Sequence, residues 1–181
     1  MLKYALLGFL NYGDMTGYEL KQIMDTSTQN FWHAKQSQIY MTLKKLEEKG
    51  LVISEIEPQE GRPDRRVYAL TDGGREDLHE WVIAPITDLD SRKERLLLKL
   101  FFSASSGKET LLMQLRLQRE LHQQQLAHYQ TATKAVVQGF ASIQPGLEED
   151  VVLWEATRRF GEMFEEMYVR WLDETIARLD V

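Results

Sequence analysis

Gly50 separates two kinds of hydrophobic pattern, and this change limits the folds that are open to the chain. Before Gly50, apolar residues recur at the three- and four-residue spacing of an amphipathic helix over residues 36–49. After it, residues 51–56 and 65–70 alternate as strands do, and residues 58–64 between them are rich in turn formers. A helix followed directly by a β-hairpin predicts a small mixed unit and not an all-helical bundle.

The segments on either side of this helix and hairpin are helical. Residues 2–11 form an apolar helix, and Thr16 and Glu19 have the spacing of a capping box that opens a second, short helix. Thr71 or Asp72 caps a further helix that stops before Pro85. The order of three helices, a strand, a turn, a strand and a helix is that of a winged helix-turn-helix.

The second half of the chain has helical patterns throughout. They predict a helix over residues 95–102, one long helix from 107 to about 140, and a last helix over 148–180. We therefore predict a mainly α fold with a small β-hairpin wing. Its parts are a winged helix-turn-helix DNA-binding domain at 1–83, a linker at 84–91 and a helical dimerisation and effector domain at 92–181.

The third helix and the wing are the candidate DNA-binding surface. In a winged helix-turn-helix, the third helix enters the major groove and the hairpin tip touches the backbone or the minor groove. Wing arginines and helix lysines suit phosphate contacts, whereas Gln38, Tyr40 and Met41 are predicted to touch base edges. The predicted DNA-binding residues are Ser37, Gln38, Tyr40, Met41, Lys44, Lys45, Arg62, Arg65 and Arg66. The alternative interpretation is a solvated amphipathic helix followed by an exposed charged turn.

Two segments resemble the PadR family of transcriptional regulators: QIYMTLKKLEEKGLV at residues 38–52 and GRPDRRVYALTDGGR at residues 61–75. ALLGFL at 5–10 and TGYEL at 16–20 match as well. The resemblance covers about residues 1–83 and implies a winged-helix repressor with Tyr40 at the DNA surface. LLKLFF at 97–102 resembles the C-terminal domain of the members related to virulence activators. Met41 and Thr42 stand where many members carry other residues, so the resemblance does not give the operator bases.

An apolar stripe with helical spacing runs along the last predicted helix. Its members are Leu153, Ala156, Phe160, Met163, Phe164, Met167, Trp171, Thr175 and Leu179, with Tyr168 and Leu172 widening it. The ordinary interpretation is a core or a dimer seam. The functional interpretation is a cavity for a small apolar or aromatic effector, for which the candidate residues are Phe160, Met163, Phe164, Met167 and Trp171.

Several classes of function find no support in the sequence. There is no Cys, which excludes disulfide scaffolds, thiolate metal sites and cysteine nucleophiles. The four His lack metal-ligand spacing, and no Walker, Rossmann or nucleophile-elbow motif is present. We expect no enzyme activity, no metal and no cofactor, and no apolar run is long enough for a membrane span. The net charge of −6 does not exclude DNA, because the local distribution of charge decides binding.

The sequence thus predicts a cytoplasmic, homodimeric, sequence-specific regulator that binds double-stranded DNA. On the family resemblance it is a repressor, and a small-molecule effector releases it from DNA. The alternative from another class is a helical protein–protein adaptor in which the winged helix binds a protein partner.

Overall fold

The structure, a computed structural model, describes residues 1–28, 31–59, 61, 64–89, 93–143 and 146–180, with residues 140–143 described by their backbone alone. The chain divides into two compact units, Met1–Leu89 and Asp90–Val181. The first unit contains three strands among four helices and the second is helical, so the predicted mainly α fold with a hairpin wing is confirmed.

The first unit is a winged helix-turn-helix. Its elements are α1 (Leu2–Leu10), β1 (Met15–Thr16), α2 (Gly17–Ser27), α3 (Gln36–Glu48), β2 (Val52–Glu57), β3 (Arg65–Leu70) and α4 (Asp72–Ile83). The strands form an antiparallel sheet in the order β1-β3-β2, in which Met15 lies opposite Tyr68 and Val52 lies opposite Leu70. The sequence patterns did not indicate β1, because two residues are too few to show a period.

The core of this unit lies where α1, α2, α3 and the sheet meet. Its fully buried side chains are Leu6, Leu7, Leu20, Met24, Ile39, Leu43, Leu46 and Val52. Helix α4 joins this frame through the stacked rings of Tyr4 and Trp81, whose centroids are 4.5 Å apart, and through a 2.6 Å ion pair between Lys3 and Asp77. Because α3 contributes only its apolar face to the core, its polar face is left at the surface.

The ends of these helices follow the sequence signals. Thr16 Oγ1 accepts a hydrogen bond from the backbone N–H of Glu19 at 3.1 Å, and the Glu19 carboxylate accepts one from the N–H of Thr16 at 2.8 Å. Gly50 follows the C-terminus of α3 with φ 68°, a conformation that favours glycine. Thr71 Oγ1 accepts a hydrogen bond from the N–H of Gly74 at 3.0 Å and caps α4. The predicted capping box at Thr16 and Glu19 and the predicted cap at Thr71 are therefore confirmed.

The second unit contains α5 (Arg95–Phe101), a 3₁₀ turn (Ser103–Ser105), α6 (Lys108–His128), a π-helical turn (Tyr129–Thr133), α7 (Lys134–Ile143) and α8 (Glu148–Leu179). The predicted long helix from 107 to about 140 is present as an unbroken helical run over 108–143, but the π-helical turn within it was not predicted. The Arg158 guanidinium donates a hydrogen bond to the Tyr129 carbonyl at 3.0 Å, and the Tyr129 ring packs on Gly161. These contacts come from α8, so the pattern within residues 107–140 could not indicate the turn.

Helix α8 has two different long faces. One face packs on α6 and the π-helical turn and buries Gly161, Glu165, Tyr168 and Leu172. Another face leaves large apolar side chains exposed: Val152, Leu153, Phe160, Met163 and Met167 are 48–67% exposed. Over residues 153–167 the predicted stripe is therefore mostly exposed in the protomer, with Phe164 partly buried. The core is centred on Tyr168 and Leu172, which the pattern placed at the margin of the stripe.

Candidate nucleic-acid interface

The outward face of α3 carries the side chains that the sequence assigned to DNA. Ile39, Leu43 and Leu46 are 0–2% exposed, which fixes the rotation of the helix about its axis. The side chains left exposed are Ser37, Gln38, Tyr40, Met41, Lys44 and Lys45. The predicted division of α3 into a core face and a polar face is confirmed, and what the polar face binds stays a prediction.

Gln38 and Thr42 have partners within the first turns of α3. Gln38 Oε1 accepts a hydrogen bond from the backbone N–H of Lys35 at 2.9 Å, and the Thr42 hydroxyl donates to the Gln38 carbonyl at 2.7 Å. The first bond satisfies one of the amides that every helix N-terminus leaves without a partner in the helix. Because it uses the oxygen of the Gln38 amide, the NH₂ group is the part of this side chain suited to a base acceptor.

Tyr40 is positioned by a glycine that the sequence analysis did not single out. A Cβ atom on Gly17 would lie 2.5 Å from Tyr40 Cε1, so the ring lies directly on the backbone at the start of α2. The ring is nevertheless 43% exposed. Gly17 is required here because the Tyr40 ring lies so close to its backbone. Any larger residue at position 17 would displace the Tyr40 ring from its place on the exposed face of α3.

Both described wing arginines are bound to carboxylates of the protein itself. Arg65 Nη2 lies 2.7 Å from Glu19 Oε1, the same carboxylate that completes the capping box of α2. Arg66 Nη2 lies 2.7 Å from Glu47 Oε2 on α3. These acidic partners stand 46 and 19 residues away along the chain, and no local sequence pattern indicated them. Arg62, the third predicted wing residue, lies outside the described residues.

The hydrogen bonds around these arginines also fix the charge of their partners. The backbone N–H of Thr16 and the nearby Arg65 lower the pKa of Glu19, and the hydrogen bond from Ser54 and the Arg66 guanidinium lower the pKa of Glu47. Both carboxylates are therefore ionised at neutral pH. Each arginine is then part of a pair whose charges cancel, which weakens its attraction for phosphate.

A groove of about 410 Å³ separates α3 from the hairpin. Its lining residues are Tyr40, Lys44, Glu47, Glu48, Arg66 and Tyr68. The Arg66 guanidinium also lies over the Tyr68 ring, 5.5 Å from its centroid, at the distance of a cation–π contact. Lys44 is 78% exposed and has a loose 3.9 Å contact with Glu48. The groove thus brings base-reading candidates and phosphate-binding candidates together on one surface.

The five effector candidates on α8 are divided between two surfaces. Phe160, Met163 and Met167 are on the exposed apolar face described above. Phe164 and Trp171 are partly buried and pack at steep angles on Tyr168, at centroid distances of 5.6 and 5.4 Å. The Tyr168 ring also stacks on the His122 ring at a centroid distance of 3.8 Å. Within the protomer these five side chains therefore do not line one shared cavity.

The described part of the chain lacks two further kinds of feature. No group of three or more acidic or His side chains there could hold a metal ion. No helix there is both long and apolar enough to cross a membrane.

Comparison with known proteins places similarity along the whole chain. Residues 6–80 match the model of the transcriptional regulator PadR-like family, and residues 92–180 match the model of the virulence activator alpha C-terminal domain. The negative transcriptional regulator PadR of Bacillus subtilis is 30% identical over 99% of this chain and 98% of its own length.

Two solved structures of Bacillus subtilis PadR are similar over nearly the full chain. The complex with operator DNA has a TM-score of 0.82 and 27% identity, covering 98% of both chains. The complex with p-coumaric acid has a TM-score of 0.78 and 27% identity, covering 99% of both chains.

Proposed function

Because this chain belongs to the PadR-like family of transcriptional regulators, which are not enzymes, we propose that it is a cytoplasmic, homodimeric repressor. It binds operator DNA through its winged helix and leaves the DNA when a small aromatic effector binds. The observation that carries the DNA-binding part is the exposed polar face of α3 beside the hairpin, with Tyr40 held on Gly17. This surface also favours a regulator over a protein–protein adaptor.

In this proposal residues 1–83 form the DNA-binding domain and residues 84–91 form the linker. Residues 92–181 form the domain that dimerises and binds the effector. Helix α3 enters the major groove, where Gln38, Tyr40 and Met41 face base edges. Lys44 and Lys45 contact phosphates, and Arg66 of the wing lines the groove beside Lys44. The Bacillus subtilis relative solved with operator DNA supports this assignment, since it shares the fold over nearly the whole chain.

The exposed apolar face of α8 supports the dimer. Five large apolar side chains that are about half or more exposed stand on one side of one helix, and a soluble monomer rarely leaves so large an apolar patch uncovered. The 32 residues of α8 span about 48 Å. A second copy of the chain packed along this face would cover it and would set the distance between two recognition helices.

The DNA-binding proposal predicts different effects for two residues of α3. Lys45→Ala should weaken binding to operator and random DNA alike and should reduce the slope of log affinity against log salt by about 0.9, since one phosphate contact is lost. Tyr40→Ala should instead reduce discrimination between the two DNAs by about 1–3 kcal/mol. Both effects can be measured by binding isotherms at several salt concentrations, with the DNA upstream of the protein's own gene as the operator and with random DNA.

Lys134→Ala, on the exposed surface of α7, is the matched control for the loss of one positive charge. It should leave both isotherms as they are in the unaltered protein. Lack of binding to any DNA at low salt would overturn the proposed function. Equal losses for Lys45 and Tyr40 on both DNAs would overturn the division into phosphate and base contacts.

The effector proposal predicts an optical signal from Trp171. We propose a small aromatic acid as the ligand class, because a relative has been solved with p-coumaric acid and because Phe164, Tyr168 and Trp171 form a cluster of ring contacts. Phenolic acids that release the protein from DNA should change the tryptophan fluorescence, and Trp171→Phe should remove that change. Release without any change at Trp171 would place the site elsewhere.

A further inference from the structure

Arg66 is held from two sides by groups of α3 and β2. Its Nη2 donates to Glu47 Oε2 at 2.7 Å, and its Nε donates to Ser54 Oγ at 2.8 Å. The Ser54 hydroxyl in turn donates to Glu47 Oε1 at 2.5 Å. Both oxygens of the Glu47 carboxylate are used, and the three side chains form a closed ring of hydrogen bonds between the recognition helix and the hairpin.

This ring lies on the surface that the proposed function places against DNA. Glu47 and Arg66 line the same groove as Tyr40 and Lys44. A carboxylate there faces the negative phosphates, and it also neutralises the arginine nearest to it. Approaching DNA must therefore either leave Arg66 on Glu47 or exchange the carboxylate for a phosphate oxygen.

The fold gains little from this ion pair. The side chain of Arg66 is 54% exposed and that of Glu47 is 30% exposed, and ion pairs this exposed contribute little to stability. The effect on DNA binding is larger, because charge-assisted bonds between guanidinium and phosphate are among the strong hydrogen bonds of proteins. We therefore expect Glu47 to lower the affinity for DNA by more than it raises the stability of the fold.

We propose that Glu47 limits the affinity of this protein for DNA of any sequence by withholding Arg66 from the phosphate backbone. The inference rests on the proposed function and deepens it. Non-specific binding is almost wholly electrostatic. The loss of one phosphate contact therefore lowers the amount of protein bound to random DNA. The exposed polar face of α3 then contributes a greater share of the remaining binding energy.

The test is Glu47→Gln, which keeps the shape of the side chain and removes its charge. We expect about tenfold tighter binding to operator and to random DNA at 0.1 M salt, which corresponds to one gained charge-assisted bond. The slope of log affinity against log salt should become steeper by about 0.9. Thermal unfolding should change little, which shows that the variant is folded.

Two controls separate the proposed cause from a general change of charge. Glu76→Gln, on the exposed surface of α4, removes the same charge from a different helix and should leave affinity nearly unchanged. In an Arg66→Ala background, Glu47→Gln should lose most of its effect. An equal gain with and without Arg66 would mean direct repulsion of phosphate by Glu47 and would overturn the inference.

Unchanged affinity in Glu47→Gln would also overturn the inference while leaving the proposed function intact. Failure of the unaltered protein to bind any DNA would instead remove both. The same isotherms on operator and random DNA distinguish these results.

Discussion

Met163→Glu is expected to convert the protein into a monomer and to lower its affinity for a two-half-site operator at least about a hundredfold. Met163 is 55% exposed in the middle of the apolar face of α8, between Phe160 and Met167. If a second copy covers this face, the substitution buries a carboxylate among apolar groups without a partner, which is costly. Light scattering should give the monomer mass in place of twice that mass.

The loss of operator affinity follows from the loss of the second recognition helix. Two linked contacts gain affinity because the second forms at a high effective concentration, and a monomer has only the first. Affinity for a DNA that carries a single half-site should therefore be the same before and after substitution. This comparison separates loss of the dimer from damage to the DNA-binding surface.

Gln124→Glu is the control, since it adds the same charge at an exposed position of α6. It should remain a dimer with unchanged operator affinity. If the Met163→Glu variant still has the mass of a dimer, the dimer interface lies elsewhere and the exposed face of α8 contacts something other than a second copy of the chain.

The sequence predicted the architecture of the first unit well, because its signals are local. The capping box at Thr16 and Glu19, the helical period of α3 and the change to a strand pattern after Gly50 each depend on neighbours within one or two turns. The same period correctly separated Ile39 and Leu43 from the exposed side chains. Local patterns of this kind determine which residues form the candidate DNA surface.

The partners of the wing arginines could not be predicted in this way. Arg65 pairs with Glu19 and Arg66 with Glu47, and these pairs form only when the hairpin folds back on α2 and α3. A pattern of basic residues in a turn shows that charge is present but not whether it is already compensated. The sequence therefore indicated where the wing arginines stand but not that Arg65 and Arg66 are paired with carboxylates.

The apolar stripe of α8 presented a different difficulty. Its spacing indicated one apolar face of a helix, but periodicity alone does not show whether that face packs within the protomer. The face that became the core carries Gly161, Glu165 and Tyr168, which are small, charged and amphipathic. Packing against Tyr129 in the π-helical turn, which no local signal indicated, selects that face.

The same packing gives the last prediction: Gly161→Ala should destabilise the helical unit by about 1–3 kcal/mol. Alanine normally stabilises a helix relative to glycine by about 1 kcal/mol. Here a Cβ atom would lie 2.2 Å from Tyr129 Cζ and 2.4 Å from its hydroxyl oxygen, far inside van der Waals contact. Gly161 is buried and Tyr129 is only 6% exposed, so the ring cannot relieve the clash simply by turning out into solvent.

Gly139→Ala provides the matched comparison, because it is the same substitution in the same unit with no atom within 4 Å of the new Cβ. It should raise the midpoint of thermal unfolding, whereas Gly161→Ala should lower it. Tyr129→Leu removes the atoms that the new methyl group would meet, so Gly161→Ala should cost much less in that background. A stabilising Gly161→Ala, or equal costs with tyrosine and leucine at 129, would contradict the close packing of α8 on the π-helical turn.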